Sequence, residues 1–284
     1  MYILTGFGDE ISPELTEQLD VMAGEGISAL EIRSVWGKNI LDLTPDECAR
    51  VKTTLTEKGF RISSIGSPIG KIKITDDFAP HFERFQHAVE LARFFDAPFL
   101  RIFSYYPPDG GDIRKYRDEV LKRMSAKARY AQQQGVMLAN ENELNLYGES
   151  PEGCKDILDA VNSPNLKTCF DPGNFIIAGI NPADHAYPML KDSIVYFHIK
   201  DGLPKSKTGG AIVCLPTGEG EGGIKTILAD FATTAARKDV FLSLEPHLAK
   251  AGKFQGFSGP GLFKTASDAL KRTLKDISDV NGET

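Results

Sequence analysis

The chain has 284 residues, 41% hydrophobic and 25% charged, and its 33 basic and 39 acidic side chains leave a net charge of −6. These proportions are those of an ordinary globular protein and exclude collagen-like, disordered and disulfide-scaffold classes. A negative chain without a dense Lys/Arg cluster has no electrostatic reason to seek nucleic acid or an anionic bilayer, and no apolar run approaches the ~18 residues of a membrane span.

The first segment, MYILTGFGDE, lacks a basic leader region and reaches Asp9 and Glu10 early, which argues against a secretory signal. From Tyr2 it also supplies the first of eight short apolar runs, YILTGFG. The others are ALEIRSV from Ala29, RISSIGS from Arg61, FLRIFSYY from Phe99, VMLANEN from Val136, LKTCFDP from Leu166, IVYFHIKD from Ile194 and VFLSLEPH from Val240. Each is rich in β-branched and aromatic residues and bounded by Gly, Pro or acids, as buried strands are.

Helical patterns separate them. Thr44-Pro45 before Asp46-Glu47 places an N-cap, a first-turn proline and acids at the positive helix end, and Ser150-Pro151-Glu152 repeats the device. Phe82, Phe85, Val89 and Ala92 form one apolar stripe. Gly26, Gly59 and Gly135 stand where helices should stop, just before the second, third and fifth runs. Cys48 and Cys154 fall on helical patterns and Cys169 inside a strand; with Cys214 they show no CxxC spacing, so packing thiols of a cytoplasmic protein are expected.

Most runs begin roughly 30 residues after the one before, the length of a βαβ unit, and eight units close a barrel. The expected fold is therefore α/β, a single-domain (β/α)8 TIM barrel over residues 1–284, with a core of about 1–277 and fraying after Lys275. A doubly wound sheet competes, but its phosphate turn would read GFGDEI, with acids where a pyrophosphate needs bare amides.

Active sites of such barrels lie at the C-terminal strand ends. There the last four runs lead to Glu141, Asp171, His198 and Glu245, one metal-capable side chain per neighbouring strand. Three close carboxylates repel unless a cation neutralises them. Three oxygen ligands and one imidazole suit Mn2+, Mg2+ or Co2+ in a site open to substrate, whereas Zn2+ usually takes more His or Cys. Alone, each residue has a plainer reading, as a core histidine, a strand cap or a turn aspartate.

Other strand ends offer substrate contacts: Glu10, Arg33, Trp36, Ser67, Lys71, Arg101, Tyr106 and Lys200. Trp36 is either an aromatic wall of the site or a core residue. Lys71 and Arg101 either receive a phosphate or carboxylate or pair with Asp76 or Glu10. The segment PTGEGEGG (216–223) is a glycine-rich loop from which Glu219 either reaches the site or remains solvated.

Glu141 in LANENE, Asp171 in FDPGN, His198 in FHIKD and Glu245 in LEPH together resemble the xylose isomerase-like TIM-barrel superfamily, over essentially the whole chain. That group holds sugar and sugar-phosphate isomerases and epimerases, inosose dehydratases and endonuclease IV. The resemblance implies that these four residues bind one divalent ion, commonly Mn2+, and that the two glutamates also move protons. The family's ligand is the first acid after the apolar run, which selects Glu141 and leaves Glu143 outside the ligand set or facing substrate. Ketose 3-epimerases of this fold have a His three residues after the aspartate and an Arg six after the metal-binding His; here Asn174, a further candidate substrate contact, and Pro204 stand there.

The expected activity is divalent-metal-dependent isomerisation or epimerisation of a small sugar, sugar phosphate or related polyol through an enediolate-type intermediate, with catalytic Glu141 and Glu245. A dehydratase of the inosose dehydratase kind is the alternative, and a non-catalytic sugar-binding protein or a homo-oligomeric assembly is compatible with the same residues. Endonuclease IV chemistry uses three zinc ions and more histidines than the five present.

Overall fold

A computed structural model describes residues 2–233, 239–249 and 257–281. Eight parallel strands form one sheet: β1 (Tyr2–Gly6), β2 (Ala29–Ile32), β3 (Arg61–Gly66), β4 (Phe99–Ile102), β5 (Met137–Glu141), β6 (Leu166–Phe170), β7 (Ile194–Ile199) and β8 (Val240–Leu244). Each pairs with its sequence neighbour, β8 returns to β1, and a single parallel bridge between Phe7 and Glu31 joins β1 to β2. The expected TIM barrel is the observed fold.

Helices cover the outside: α1 (Leu15–Gly24), α2 (Pro45–Glu57), α3 (Phe78–Phe94), α4 (Arg117–Gln134), α5 (Pro151–Val161), α6 (Pro172–Ile177), α7 (Tyr187–Leu190), α8 (Ile224–Ala232) and α9 (Gly259–Asn281). The punctuation read from the residues recurs in space. Thr44 and Glu47 form a reciprocal capping box on α2, and Ser150 accepts the Gly153 N–H at the start of α5. Gly26, Gly59 and Gly135 are left-handed, with φ of 71°, 68° and 72°. The α3 stripe buries Phe85, Val89 and Ala92 against the strands.

Two apolar layers result. The larger lies between barrel and helices. The smaller fills the barrel with Ala29, Ala139, Cys169, Tyr196 and Phe241. Because side chains alternate along a strand, Ala139, Cys169 and Tyr196 lie two residues before Glu141, Asp171 and His198 and form the floor beneath them. Hydroxyls complete that floor: Thr5, Ser63 and Tyr196 are linked by hydrogen bonds of 2.8 and 2.9 Å. Cys48, Cys154 and Cys169 are buried thiols, and Cys214 is half-buried.

One expectation is corrected. Residues beyond Lys275 continue α9 to Asn281 instead of fraying, because Ile277 stays in the apolar stripe and is buried, and Asp276 pairs with Lys225 of α8 at 2.8 Å. The helix is also tied to the end of α1, where the buried Glu25 accepts from Lys264 and Lys271, both at 2.8 Å. Burial alone would raise the Glu25 carboxyl, but the two ammonium groups outweigh it and bring it from 4.5 to about 2.

A depressed carboxyl contributes stability that is fully present above its ordinary pKa and is lost as pH falls towards the folded value. The lysines are partly exposed, so screening limits the gain to about 1 kcal/mol or less. Glu25→Gln should therefore lower Tm at neutral pH by about 2 °C. Thermal melts should show that difference narrowing as pH falls below 4.5. A pH-independent difference would mean that shape, not charge, holds α9.

Candidate metal centre and substrate cavity

The four acidic and imidazole side chains named from the strand ends meet at one point. Glu141 ends β5, Asp171 follows β6, His198 lies in β7 and Glu245 follows β8, and one ligand atom from each lies within 4.8 Å of all the others. All four residues are buried. His198 Nδ1 stands 3.1 Å from Glu141 Oε1, 3.2 Å from Glu245 Oε2 and 4.0 Å from Asp171 Oδ2. His198 Nδ1, Glu141 Oε2 and Glu245 Oε2 are buried without a hydrogen-bond partner. Leaving such atoms unpaired is costly. Converging donors of this kind fit a divalent cation, with the chemistry of a carboxylate-rich site.

A surrounding layer orients these ligands. Glu31, in β2, lies 3.2 Å from His198 Nε2 and accepts the Ser243 hydroxyl at 2.6 Å. A proton held on Nε2 by Glu31 would leave Nδ1 as the donor to a bound ion, whereas in the ion-free site the carboxylates, against burial, raise the imidazole well above its ordinary pKa. The Phe7 ring meets the imidazole edge-on at 5.1 Å. Asn174 donates to Glu141 Oε1 at 3.2 Å, and its backbone N–H donates to Asp171 Oδ1. Asn142 exchanges two 2.9 Å hydrogen bonds with the Asp171 backbone. Lys200 Nζ reaches Asp171 at 2.9 Å, Glu245 at 3.0 Å and Asn174 Oδ1 at 3.1 Å.

Charge sets the protonation pattern. Burial pushes the Asp171 carboxyl up to about 6 despite Lys200. Burial would raise Glu141 too, but His198 and Arg101 outweigh it and bring that carboxyl down to about 2. Against the same burial, Lys200 and His198 hold Glu245 well below the usual range.

A cavity of about 230 Å³ opens above the cluster. Of the residues named from the sequence, Arg33, Ser67, Lys71, Arg101, Glu141, Glu143, Lys200 and Glu245 line it. The others stand elsewhere. Glu10 is buried outside the lining, bonded to His247 and to the Ser258 hydroxyl. Trp36 packs against the core beneath the Arg50 guanidinium, 4.6 Å from its ring, and outside the cavity lining, where Phe103 is the aromatic residue. Tyr106 binds through its backbone to Ile72 and Ile74 and does not line the cavity. Asn174 acts on Glu141 and Asp171 from outside it.

Glu219 is exposed, and its loop turns inward by its backbone. The N–H groups of Gly218, Gly220 and Gly222 all donate to the Asp201 carboxylate, at 2.8, 3.2 and 2.8 Å. A Cβ on Gly220 would sit 2.3 Å from Asp201 Oδ1, so the glycines serve a protein carboxylate. Four contributors escaped the sequence reading: Glu31, Phe103, Asn142 and His247. Glu31 left a usable signal, an acid in the middle of an apolar strand.

The profile of the family described as xylose isomerase-like TIM barrel matches residues 19–273, and the chain belongs to that family. Similar solved structures include the probable 3-DHS dehydratase AsbF of Bacillus anthracis, involved in petrobactin synthesis, at 19% identity and a TM-score of 0.73, covering 95% of this chain and 98% of that one. A D-tagatose 3-epimerase-like protein matches at 18% identity and a TM-score of 0.77, covering 98% of each chain. A Mycobacterium smegmatis protein of the same fold, in complex with magnesium, matches at 16% and 0.73 over 97% of each. No curated protein matches this sequence. Among the described residues no helix is long and apolar enough to cross a membrane.

Purified protein should take up about one equivalent of Mn2+ by calorimetry. Glu31→Gln should keep the fold but weaken that uptake by about 10-fold or more, the effect of removing a partner behind a metal-ligating histidine. Unchanged affinity would separate Glu31 from the ligand set. Uptake should also weaken below about pH 6, where Asp171 takes a proton that the ion must displace. Affinity flat from pH 7 to pH 5 would contradict ligation by Asp171.

Proposed function

We propose that this chain is a divalent-metal-dependent isomerase or epimerase acting on a small sugar, sugar phosphate or related polyol. The observation that carries the reading is the buried Glu141–Asp171–His198–Glu245 cluster, with orphaned donors, at the floor of a polar cavity. Those four residues would hold the ion; Mn2+ is proposed, with Mg2+, Co2+ and Zn2+ as lesser candidates. A bound ion would supply Lewis-acid charge that acidifies a carbon-bound proton beside a carbonyl.

The chain's own groups do the rest. Glu141 and Glu245 reach the cavity from separate strands, so one can take a proton from carbon while the other returns one. Arg33 fixes Glu245 through a 3.1 Å contact with Oε1 and is itself held by Asp9 at 2.8 Å. Glu245 Oε2, which lies 3.0 Å from Lys200 Nζ and 3.2 Å from His198 Nδ1, is then the oxygen proposed for proton transfer. Lys200 donates towards Asp171 and Glu245 and can stabilise negative charge on a substrate oxygen.

The same proton removal with a departing hydroxyl on the next carbon is β-elimination of water. That second reading is favoured by the cationic Lys200 beside Glu245 and by the fold similarity to a probable dehydratase.

Glu245→Gln keeps one oxygen donor and removes the basicity. It should still bind Mn2+, more weakly, and lose turnover by about 10²-fold or more. Proton NMR in D2O with a panel of ketoses, aldoses and keto-polyols reads the exchange directly. Undiminished deuterium incorporation in this variant would remove Glu245 from proton transfer.

A further inference from the structure

One wall of the cavity gathers cations from the end of β4 and the loop after β3. Arg101 is nine-tenths buried, and its guanidinium lies 4.4 Å from the centre of the Phe103 ring. Lys71 Nζ lies 4.2 Å from the same centre. One aromatic ring thus holds two cations at the cavity wall.

The pair is preorganised by backbone. Phe103 N–H donates to the Ile69 carbonyl at 2.7 Å, and Tyr105 N–H donates to the Gly70 carbonyl at 3.0 Å. These bonds zip the loops after β3 and β4 together. Gly70, at φ 100°, is required there, because a Cβ would stand 2.0 Å from the Phe103 oxygen. A Cβ on Gly66 would likewise meet Arg101 NH2 at 3.2 Å.

The two cations differ in what neutralises them. Lys71 has its own counter-charge, Glu143, at 2.9 Å. Arg101 has one carboxylate within ion-pair distance among the described residues, Glu141 Oε2 at 3.2 Å, and its Nε has no hydrogen-bond partner. Glu141 belongs to the metal-ligand set. With Glu141 counted in the proposed ligand set, the wall itself carries two cations, Lys71 and Arg101, against one carboxylate, Glu143.

We propose that this wall receives a carboxylate of the substrate, so that the substrate is a small polyhydroxy or keto acid. The proposal rests on the metal-dependent reading and narrows it. A planar guanidinium with a free N–H matches a carboxylate fork. One net positive charge matches a monoanion. A phosphate dianion would bring a second negative charge next to Glu143. The volume of about 230 Å³ also suits a compact acid.

The test compares five-carbon ligands that differ at one end: arabinonate, arabitol and arabitol 1-phosphate, titrated calorimetrically into Mn2+-loaded protein after Mn2+ uptake has been measured. Arabinonate should bind at least about 10-fold more tightly than arabitol, the scale of a charge-assisted hydrogen bond. Arg101→Met should erase most of that preference while Mn2+ stoichiometry stays at one. Lys71→Met, at a partly exposed position remote from the ligands, should reduce the preference with the fold untouched. Equal affinity for arabinonate and arabitol on protein that binds one Mn2+ would overturn the carboxylate subsite and leave the metal-dependent reading standing. Tightest binding of the phosphate would overturn the choice of carboxylate. Failure to take up Mn2+ would overturn both readings.

Discussion

Three carboxylates buried within 4.8 Å of one another repel, and their burial in a protein interior makes the repulsion strong. The structure answers with positive charge from several directions. His198 sits among the three, Lys200 bridges Asp171 and Glu245, Arg33 holds Glu245 and Arg101 holds Glu141. Removing a single cation from such a network leaves a buried charge uncompensated, the most damaging kind of polar change. The same network leaves three donor atoms without hydrogen bonds. A divalent ion resolves both conditions together.

The barrel is what makes this density of charge possible. Its strands are rigid, and their inward side chains alternate, so Ala139, Cys169 and Tyr196 fill one level while Glu141, Asp171 and His198 occupy the next. Hydrophobic burial below the site supplies the stability against which the charged layer is held. The loops above the strands carry less of that burden. They instead place the cations and the Phe103 ring around the cavity, which is where members of one fold diverge in substrate. The glycine loop after β7 follows this division: its amides close on Asp201, a residue of the protein, and so shape the rim without donating to the cavity.

Much of this was legible in the residues. All eight strands begin within one residue of the apolar runs, since short buried parallel strands write continuous β-branched and aromatic segments. Helix starts and stops followed from capping chemistry that acts within four residues. The meeting of Glu141, Asp171, His198 and Glu245 was legible because a barrel brings the ends of successive strands to one height, so position along each run was sufficient. Trp36, Glu10 and Tyr106 were placed at the correct end of the barrel, but a loop residue's direction depends on its backbone angles. Trp36, at φ 53°, packs between the core and Arg50 and leaves the cavity lining. The α9 tail was underestimated because its anchors, Lys225 of α8 and the apolar layer, are remote in sequence.

By itself the sequence determined the periodicities, the caps and the level of each strand-end side chain, and these specify the barrel and its four convergent acidic and imidazole side chains. All depend on interactions between residues a few positions apart or on the fixed geometry of a repeating unit. The tertiary structure decided which charges meet. Glu31 reaches across 167 positions to orient His198, Arg33 across 212 to hold Glu245, and Lys71 comes from the loop after β3 to the Phe103 ring beyond β4. Pairings of that span carry no local signature, because electrostatic partnership depends on distance in space and the chain encodes that distance only through the completed fold.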